Sequence, residues 1–212
     1  MRIETLANAL SSVKATGTPS IPGGLFGELL ESRLLPDYHY LVKNGFVYSA
    51  SIAAINPSAF VGGAAGTPIF GLYNPANSGK DLVLLEAVVG IRTTGTAAVS
   101  EDFNHWGVNQ NGVAVTGTVT APRNLYSMAA SGSVAISMVN TANTAALASN
   151  LIRPSFSVGL TAATAITNVT LLRDEIKGGI IVSPGTYYAF GLAAALTAGS
   201  IDAGLIWAEM PA

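Results

Sequence analysis

The chain contains no cysteine. Disulfides and thiolate zinc sites are therefore excluded. The absence also fits a protein that must work both inside and outside a cell. Charge is scarce as well, at 10% of 212 residues, against about 25% in ordinary globular domains. The ten Lys and Arg residues are scattered and the net charge is -2. Without a basic run or interleaved aromatics, no nucleic-acid partner is expected. No run of about 18 strongly apolar residues is present, so no helical membrane span is expected. The Ala-rich stretch from Met128 to Ala148 is interrupted by Ser, Asn, Thr and Gly. The opening Met1-Arg2-Ile3-Glu4 leads into polar residues, which is not the pattern of a signal peptide.

Catalytic signatures are equally sparse. There are two histidines, His39 and His105, far apart in sequence. A metal cupin, also a β-sandwich, needs a close His pair and a further His. No Gly-x-Ser-x-Gly elbow occurs. The segment Gly71 to Lys80 has the wrong spacing for a phosphate loop, and Asp81 stands where Ser or Thr would hold magnesium. The chain is expected to be non-enzymatic, with no cofactor and no metal.

Half of the residues are hydrophobic. With so few charges, two explanations stand side by side. One is a large sandwich surfaced by Ser, Thr, Asn and Gly. The other is a surface largely buried in an assembly. The length suits one domain with an extension, or two small domains.

The organising stretch runs from Tyr73 to Arg92. Asn74-Pro75 and Ser78-Gly79 mark a turn. A strand follows, with Val83, Leu85, Ala87, Val89 and Ile91 on one face and Leu82, Leu84, Glu86, Val88 and Gly90 on the other. Both faces are largely apolar, which predicts a central strand covered on both sides. Glu86 then needs a partner, and Arg92, Arg153 and Arg173 are the candidates.

Ahead of this region, Ile3, Leu6, Leu10 and Val13 form a narrow apolar stripe on a short helical pattern. About three turns of helix are too short to stand alone in water, so the stripe is a candidate contact surface, on the same domain or on another subunit. Thr16 to Gly24 reads as a Pro/Gly linker. Leu25 to Leu35 is a second helical pattern, stopped by Pro36. Residues 1–45 are thus expected to form an N-terminal arm, ending at the Asn44-Gly45 turn, before a β-domain over 46–212.

From Phe46 the period changes to two. Phe46, Tyr48, Ala50 and Ile52 share a face, and Asn56-Pro57 ends the strand. Thr93 to Ser100 reads as a loop and Phe103 to Val108 as a strand. Asn109-Gln110-Asn111-Gly112 is a hairpin signal, followed by an alternating run from Val113. Val134, Ile136 and Met138 suggest a short strand. Ile152 to Leu160 alternates, and Pro154 predicts an edge position or a strand start. Ala165 to Leu172 and Ile180 to Val182 are read as separate strands. Ser183-Pro184-Gly185 is a tight turn. Beyond it Tyr188, Phe190 and Leu192 face one side, with Tyr187, Ala189, Gly191 and Ala193 opposite. Ile201, Ala203, Leu205 and Trp207 continue after Ala198-Gly199-Ser200. The small residues on these faces imply close approach by another sheet or chain. About ten short strands without crossover helices are the signature of a sandwich or barrel.

One polar cluster stands out. Glu101, Asp102 and His105 lie beside Trp106 at an expected loop-to-strand junction. Its readings are a cation site, a carbohydrate platform on Trp106, or an acidic corner with a packed His and Trp.

The turn and strand Asn74-Pro75-x-x-Ser78-Gly79-Lys80-x-Leu82-x-Leu84, with the ending Pro184-Gly185-x-Tyr187 … Ile206-Trp207-x-Glu209, resembles segments of small structural proteins of tailed bacteriophages. The resemblance covers residues 73–92 and 183–209. It implies a jelly roll and does not cover the N-terminal arm; together with the residue patterns, the expected fold is an all-β, jelly-roll-like antiparallel β-sandwich preceded by a short helical or extended N-terminal arm. It implies a virion protein, often a homotrimer, that decorates or cements the head shell or belongs to a fibre. The implied partners are copies of the chain itself and the phage major capsid protein, with no membrane. The implied place is the capsid surface of the virion, after a period in the host cytoplasm before assembly. The alternative is a fibre or tail-tip module that binds a host glycan. No catalytic residue is carried over.

Overall fold

A computed structural model describes residues 37–56, 59–60, 68–93, 99–109, 118–130, 132–139, 149–160, 170–195 and 199–212. The chain divides into two units, Met1–His39 and Tyr40–Ala212. Of the first, residues 37–39 alone are described. The helical patterns of the expected arm, with Ile3, Leu6, Leu10 and Val13, lie outside the described residues, as does most of the hairpin after Asn109.

The change of period at Phe46 is real. Among the described residues one short helix, α1 (His39–Lys43), precedes the strands, beyond Pro36, where the sequence reading has no helix. Asn44 and Gly45 end it as predicted, with the Asn44 and Gly45 amides donating to Tyr40 and Val42 carbonyls and Gly45 in the left-handed region. The rest is strand. β1 (Val47–Ile55), β2 (Phe70–Tyr73), β3 (Lys80–Thr93) and β4 (Val99–Asn109) come first. The short strands β5 (Thr118–Thr120), β6 (Arg123–Asn124) and β7 (Ile136–Val139) follow. The chain ends with β8 (Ser149–Leu160), β9 (Thr170–Val182), β10 (Thr186–Leu192) and β11 (Ser200–Pro211).

These strands form two antiparallel sheets, packed as a sandwich. The first has the order β6-β1-β11-β3-β9 and the second β5-β7-β2-β10-β4-β8. Set β5, β6 and β7 aside, and the winding is plain. β4 pairs with β8, β3 with β9, β2 with β10 and β1 with β11. A long hairpin has been rolled so that its two arms pair along their whole length, which is the jelly roll. β5, β6 and β7 lie between β4 and β8 in sequence, and they extend both sheets on the β1–β2 side.

The core between the sheets is built by alternation. β10 gives Tyr188, Phe190 and Leu192, and β11 gives Ile201, Ala203, Leu205 and Trp207, the faces its pattern predicts. β3 departs from simple alternation. Leu82 and Leu84 face the core, and then Ala87, Val89 and Ile91 do, while Val83, Glu86 and Val88 are half-buried on the outside. The register with β9 slips between Leu84 and Glu86, and that with β11 between Ile206 and Trp207. A bulge adds one residue and so exchanges the faces. This is why both predicted faces look apolar: each holds half of a single core face. β3 is an interior strand, as expected, with its core face buried and its outer Val83, Glu86 and Val88 half-buried.

Two further readings change. Residues 170–182 are one strand, bent where Lys177 and Gly178 take positive φ. β4 begins at Val99, so Glu101 and Asp102 lie inside a strand and not at its entrance. β8 is an edge strand, as Pro154 predicts.

The turns carry out what their residues suggest. Thr186 donates to the Ser183 carbonyl across Pro184-Gly185, and Gly185 has φ of 81°, the type II geometry that favours Pro then Gly. Asn74 is fully buried, and its amide donates to the carbonyls of Lys80 at 2.7 Å and Val182 at 2.8 Å. Its backbone exchanges hydrogen bonds with Gly185 and Thr186. One side chain thus ties the turn before β3 to the β9–β10 turn. The close approach expected beside Gly191 is made within the chain, by Phe60, whose Cβ would lie 2.8 Å from a Cβ at that position.

Removing the Asn74 side chain takes this donor from the buried Val182 carbonyl, while the Lys80 carbonyl keeps the Ser78 hydroxyl at 3.1 Å. Asn74→Ala is expected to destabilise the β-domain by about 1–3 kcal/mol, the cost of one unsatisfied buried group. Urea unfolding checks this, and a loss below about 1 kcal/mol would remove Asn74 as a latch.

Candidate functional site

The four neighbours Glu101, Asp102, His105 and Trp106 do not form a surface cluster. All sit on β4, where successive side chains point to opposite faces. Asp102 is exposed. His105 is fully buried between the sheets. Trp106 is buried on the other face of the same sheet, in a small outer cluster with Phe60, Val108, Tyr187 and Ala189. Phe60 meets the indole edge to face, with centroids 6.0 Å apart. Trp106 therefore offers no open platform for a sugar ring. Of Glu101, only its place in the strand is described.

His105 belongs to a different constellation, which the sequence reading does not assemble. Tyr188 from β10 lies 2.6 Å from Nδ1, and Asp174 from β9 lies 2.7 Å from Nε2. A carboxylate can only accept, so Nε2 carries the hydrogen, and the neutral ring accepts the Tyr188 hydroxyl at Nδ1. Ser155 donates its hydroxyl to the same Asp174 oxygen, and Arg153 donates to the other at 3.0 Å. Arg153, Ser155, His105 and Tyr188 stand on one sheet and Asp174 on the other. The group is a polar clamp across the β8–β9 side of the sandwich.

Its electrostatics follow from burial and pairing. Burial lowers the His105 pKa below its ordinary value, and the hydrogen bond and charge of Asp174 only partly offset this. Burial pushes Asp174 up, but the hydrogen bonds from Ser155 and His105, with the charge of Arg153, hold its carboxyl below the usual range. Burial raises the Tyr188 hydroxyl well above the ordinary tyrosine value. Ser155 is bonded to the Asp174 carboxylate, and both imidazole nitrogens have partners. The bonds from His105, Arg153 and Ser155 to Asp174 link the two sheets.

A second buried carboxylate works the same way. Glu209 on β11 is 1% exposed and pairs with Lys80 at 2.9 Å. It also accepts the Ser133 hydroxyl and the Val134 amide. The lysine of the Ser-Gly-Lys turn is thus taken up in holding the segment before β7. Glu86 finds Arg173 at 2.7 Å, while Arg92 pairs with Asp202 and Arg153 with Asp174. The three candidate arginines go to three different carboxylates.

One cleft of about 410 Å³ opens near the β9–β10 turn, between Gly107, Ile152, Ile180, Ser183 and Tyr188. No charged side chain lines it. Among the described residues no group of three or more His, Asp or Glu could hold a metal ion, and no helix is long and apolar enough to cross a membrane. The chain matches no protein family, no curated protein and no solved structure.

Two signals pointed at the clamp. Arg173-Asp174-Glu175 is a charged run in an otherwise poorly charged chain, and Arg153-x-Ser155 places two polar side chains on one strand face. Nothing in sequence links them to His105, because contacts across two sheets carry no local pattern.

Asp174→Ala leaves a buried imidazole and a serine hydroxyl without their acceptor. It is expected to cost about 3–5 kcal/mol, whereas Arg92→Ala, which breaks an exposed pair, should stay within about 1 kcal/mol. Denaturant midpoints compare the two; equal losses would contradict the clamp.

Proposed function

We propose that this protein is a non-enzymatic structural protein of a tailed-bacteriophage virion, which decorates or cements the head shell as an oligomer. One observation carries the reading. Among the described residues, the exposed large apolar side chains gather on the two lateral flanks of the sandwich. Tyr40, Phe46, Val119, Tyr126, Met128 and Ile136 lie on or beside the β1 and β5–β7 side. Leu151, Ile152, Leu171 and Ile181 lie on β8 and β9, at the opposite side. Among the residues whose burial is described, β2, β3, β4, β10 and β11 carry none. The buried His105 and Glu209, by contrast, are bonded within the chain.

Two different apolar flanks on one subunit suit a head-to-tail contact, in which one copy's β8–β9 side meets the next copy's β5–β7 side. Such contacts form rings when the rotation between copies closes, and a ring of three fits the resemblance of the Asn74–Leu84 and Pro184–Glu209 segments to phage virion proteins. The remaining surface would then face the major capsid protein, at the capsid surface, after release from the host cytoplasm by assembly. The fibre or tail-tip alternative has less support, since Trp106, its proposed glycan anchor, packs beneath Phe60.

Each buried Ile at such an interface contributes about 1.5–3 kcal/mol, so the double variant Ile152→Asp/Ile181→Asp should dissociate the oligomer at least about a hundredfold more readily. Sedimentation velocity reads this. Mixing that variant with Tyr126→Asp/Met128→Asp should restore one contact and yield dimers but no closed rings. A wild-type chain that sediments as a monomer at micromolar concentration would refute self-assembly. Gold-labelled antibody on purified virions tests the location: label over the head shell supports the decoration reading, and label at the tail tip supports the alternative.

A further inference from the structure

The turn after β6 is held firmly for a segment that faces water. The Asn124 side chain accepts from the Tyr126 and Ser127 amides at 2.9 and 3.1 Å and donates to the Gly45 carbonyl at 2.6 Å. The Met128 amide donates to the Asn124 carbonyl, and the Asn124 amide to the Ala129 carbonyl. Asn124 itself is buried, while residues 126–130 are all exposed. Tyr126 and Met128 are the large apolar side chains among them, 64% and 63% exposed. Met128 also takes φ of 59°, a left-handed conformation that residues other than glycine rarely adopt. Two large apolar side chains are thus fixed in water on a strained turn. Strain of this kind gathers at binding sites, and a knob ordered in advance binds at a smaller entropy cost.

A hollow of suitable character lies on the opposite flank. The cleft of about 410 Å³ opens where β8 and β9 end their sheets. Gly107 brings no side chain to it, Ile152 and Ile180 line it, and Asn150 and Ser183 stand exposed at its rim. Among the described residues neither the Asn150 nor the Ser183 side chain has a hydrogen-bond partner. The lining is uncharged, and so is the turn from Leu125 to Ala130. Next to the cleft, β9 carries the paired charges of Arg173, Glu175 and Lys177, which an apolar knob would have to desolvate. The cleft asks no such cost.

We propose that the Tyr126–Met128 turn of one copy seats in the β8–β9 cleft of the next. Met128 enters the apolar depth, where a flexible thioether adapts to an irregular gap. Tyr126 lies across the mouth, with its hydroxyl against Asn150 and Ser183. A copy cannot fill its own cleft, because β6 and β9 end opposite sides of the five-stranded sheet, four strand spacings or about 19 Å apart. The seating rests on the head-to-tail contact of the decoration reading, and it fixes the register of that contact.

Because the chain has no cysteine, introduced pairs report the contact directly. Full-length Ser127→Cys chains mixed with Ser183→Cys chains under mild oxidation should form the mixed disulfide dimer at least about tenfold faster than with Ser157→Cys chains. Ser157 is exposed on the same flank, about 23 Å from Asn150 along β8. Adding Met128→Gly to the Ser127→Cys chain removes the side chain and keeps the φ of the turn, so it should slow the Ser127–Ser183 dimer about tenfold without unfolding the chain. Equal or faster reaction with Ser157→Cys, or a rate untouched by Met128→Gly, would overturn the seating. Sedimentation of the wild-type chain then tells which part failed: an oligomer leaves the head-to-tail contact standing, and a monomer removes that reading as well.

Discussion

The last strand is the constraint on which the fold depends. β11 lies between β1 and β3 and hydrogen-bonds to both, with partners from Ser200 to Pro211 along β3. The first sheet is therefore incomplete until β11 arrives. Its inward residues Ile201, Ala203, Leu205 and Trp207 are buried in the core. Pairing β1 with β11 closes a long loop before contacts repay it, and topologies of this kind fold slowly. In return the wound hairpin leaves few strand ends. β6 and β5, at one side of the two sheets, are only two and three residues long, which blunts that edge.

Polar residues in this protein act at the seams of that winding. Asn74 joins two turns, Glu209 holds the segment before β7, and Asp174 with His105 crosses between sheets where hydrophobic packing runs out toward the edge. The buried Glu209 and the largely buried Asp174 are each matched to partners. The outer face of the second sheet adds a small satellite cluster, in which Phe60 caps Trp106 and crowds Gly191. A larger residue at position 191 would displace Phe60, so glycine there is a packing requirement.

The legibility of the sequence was uneven for a reason that particular residues make clear. β10 and β11 alternate without interruption, and their faces are as read. β3 misleads because a bulge near Leu85 exchanges its faces, and the bulge is set by pairing with β9 and β11. β9 hides its continuity behind Lys177-Gly178-Gly179, where a turn signal is in fact a bend inside a strand. Glu101, Asp102, His105 and Trp106 are adjacent in sequence, yet strand alternation sends the last two to opposite faces of the sheet.

By itself, then, the sequence determined the all-β class, the type II turn at Pro184-Gly185, the edge character around Pro154 and the apolar faces of the closing strands. These depend on local preferences and a period of two, which neighbours in the chain are enough to impose. Only the tertiary structure decided which sheet each strand joined, where the register slipped, which arginine met which carboxylate, and that His105 would be drawn into a clamp with residues up to 83 positions away. Those outcomes arise from packing two sheets together, and packing distances bear no relation to distance along the chain.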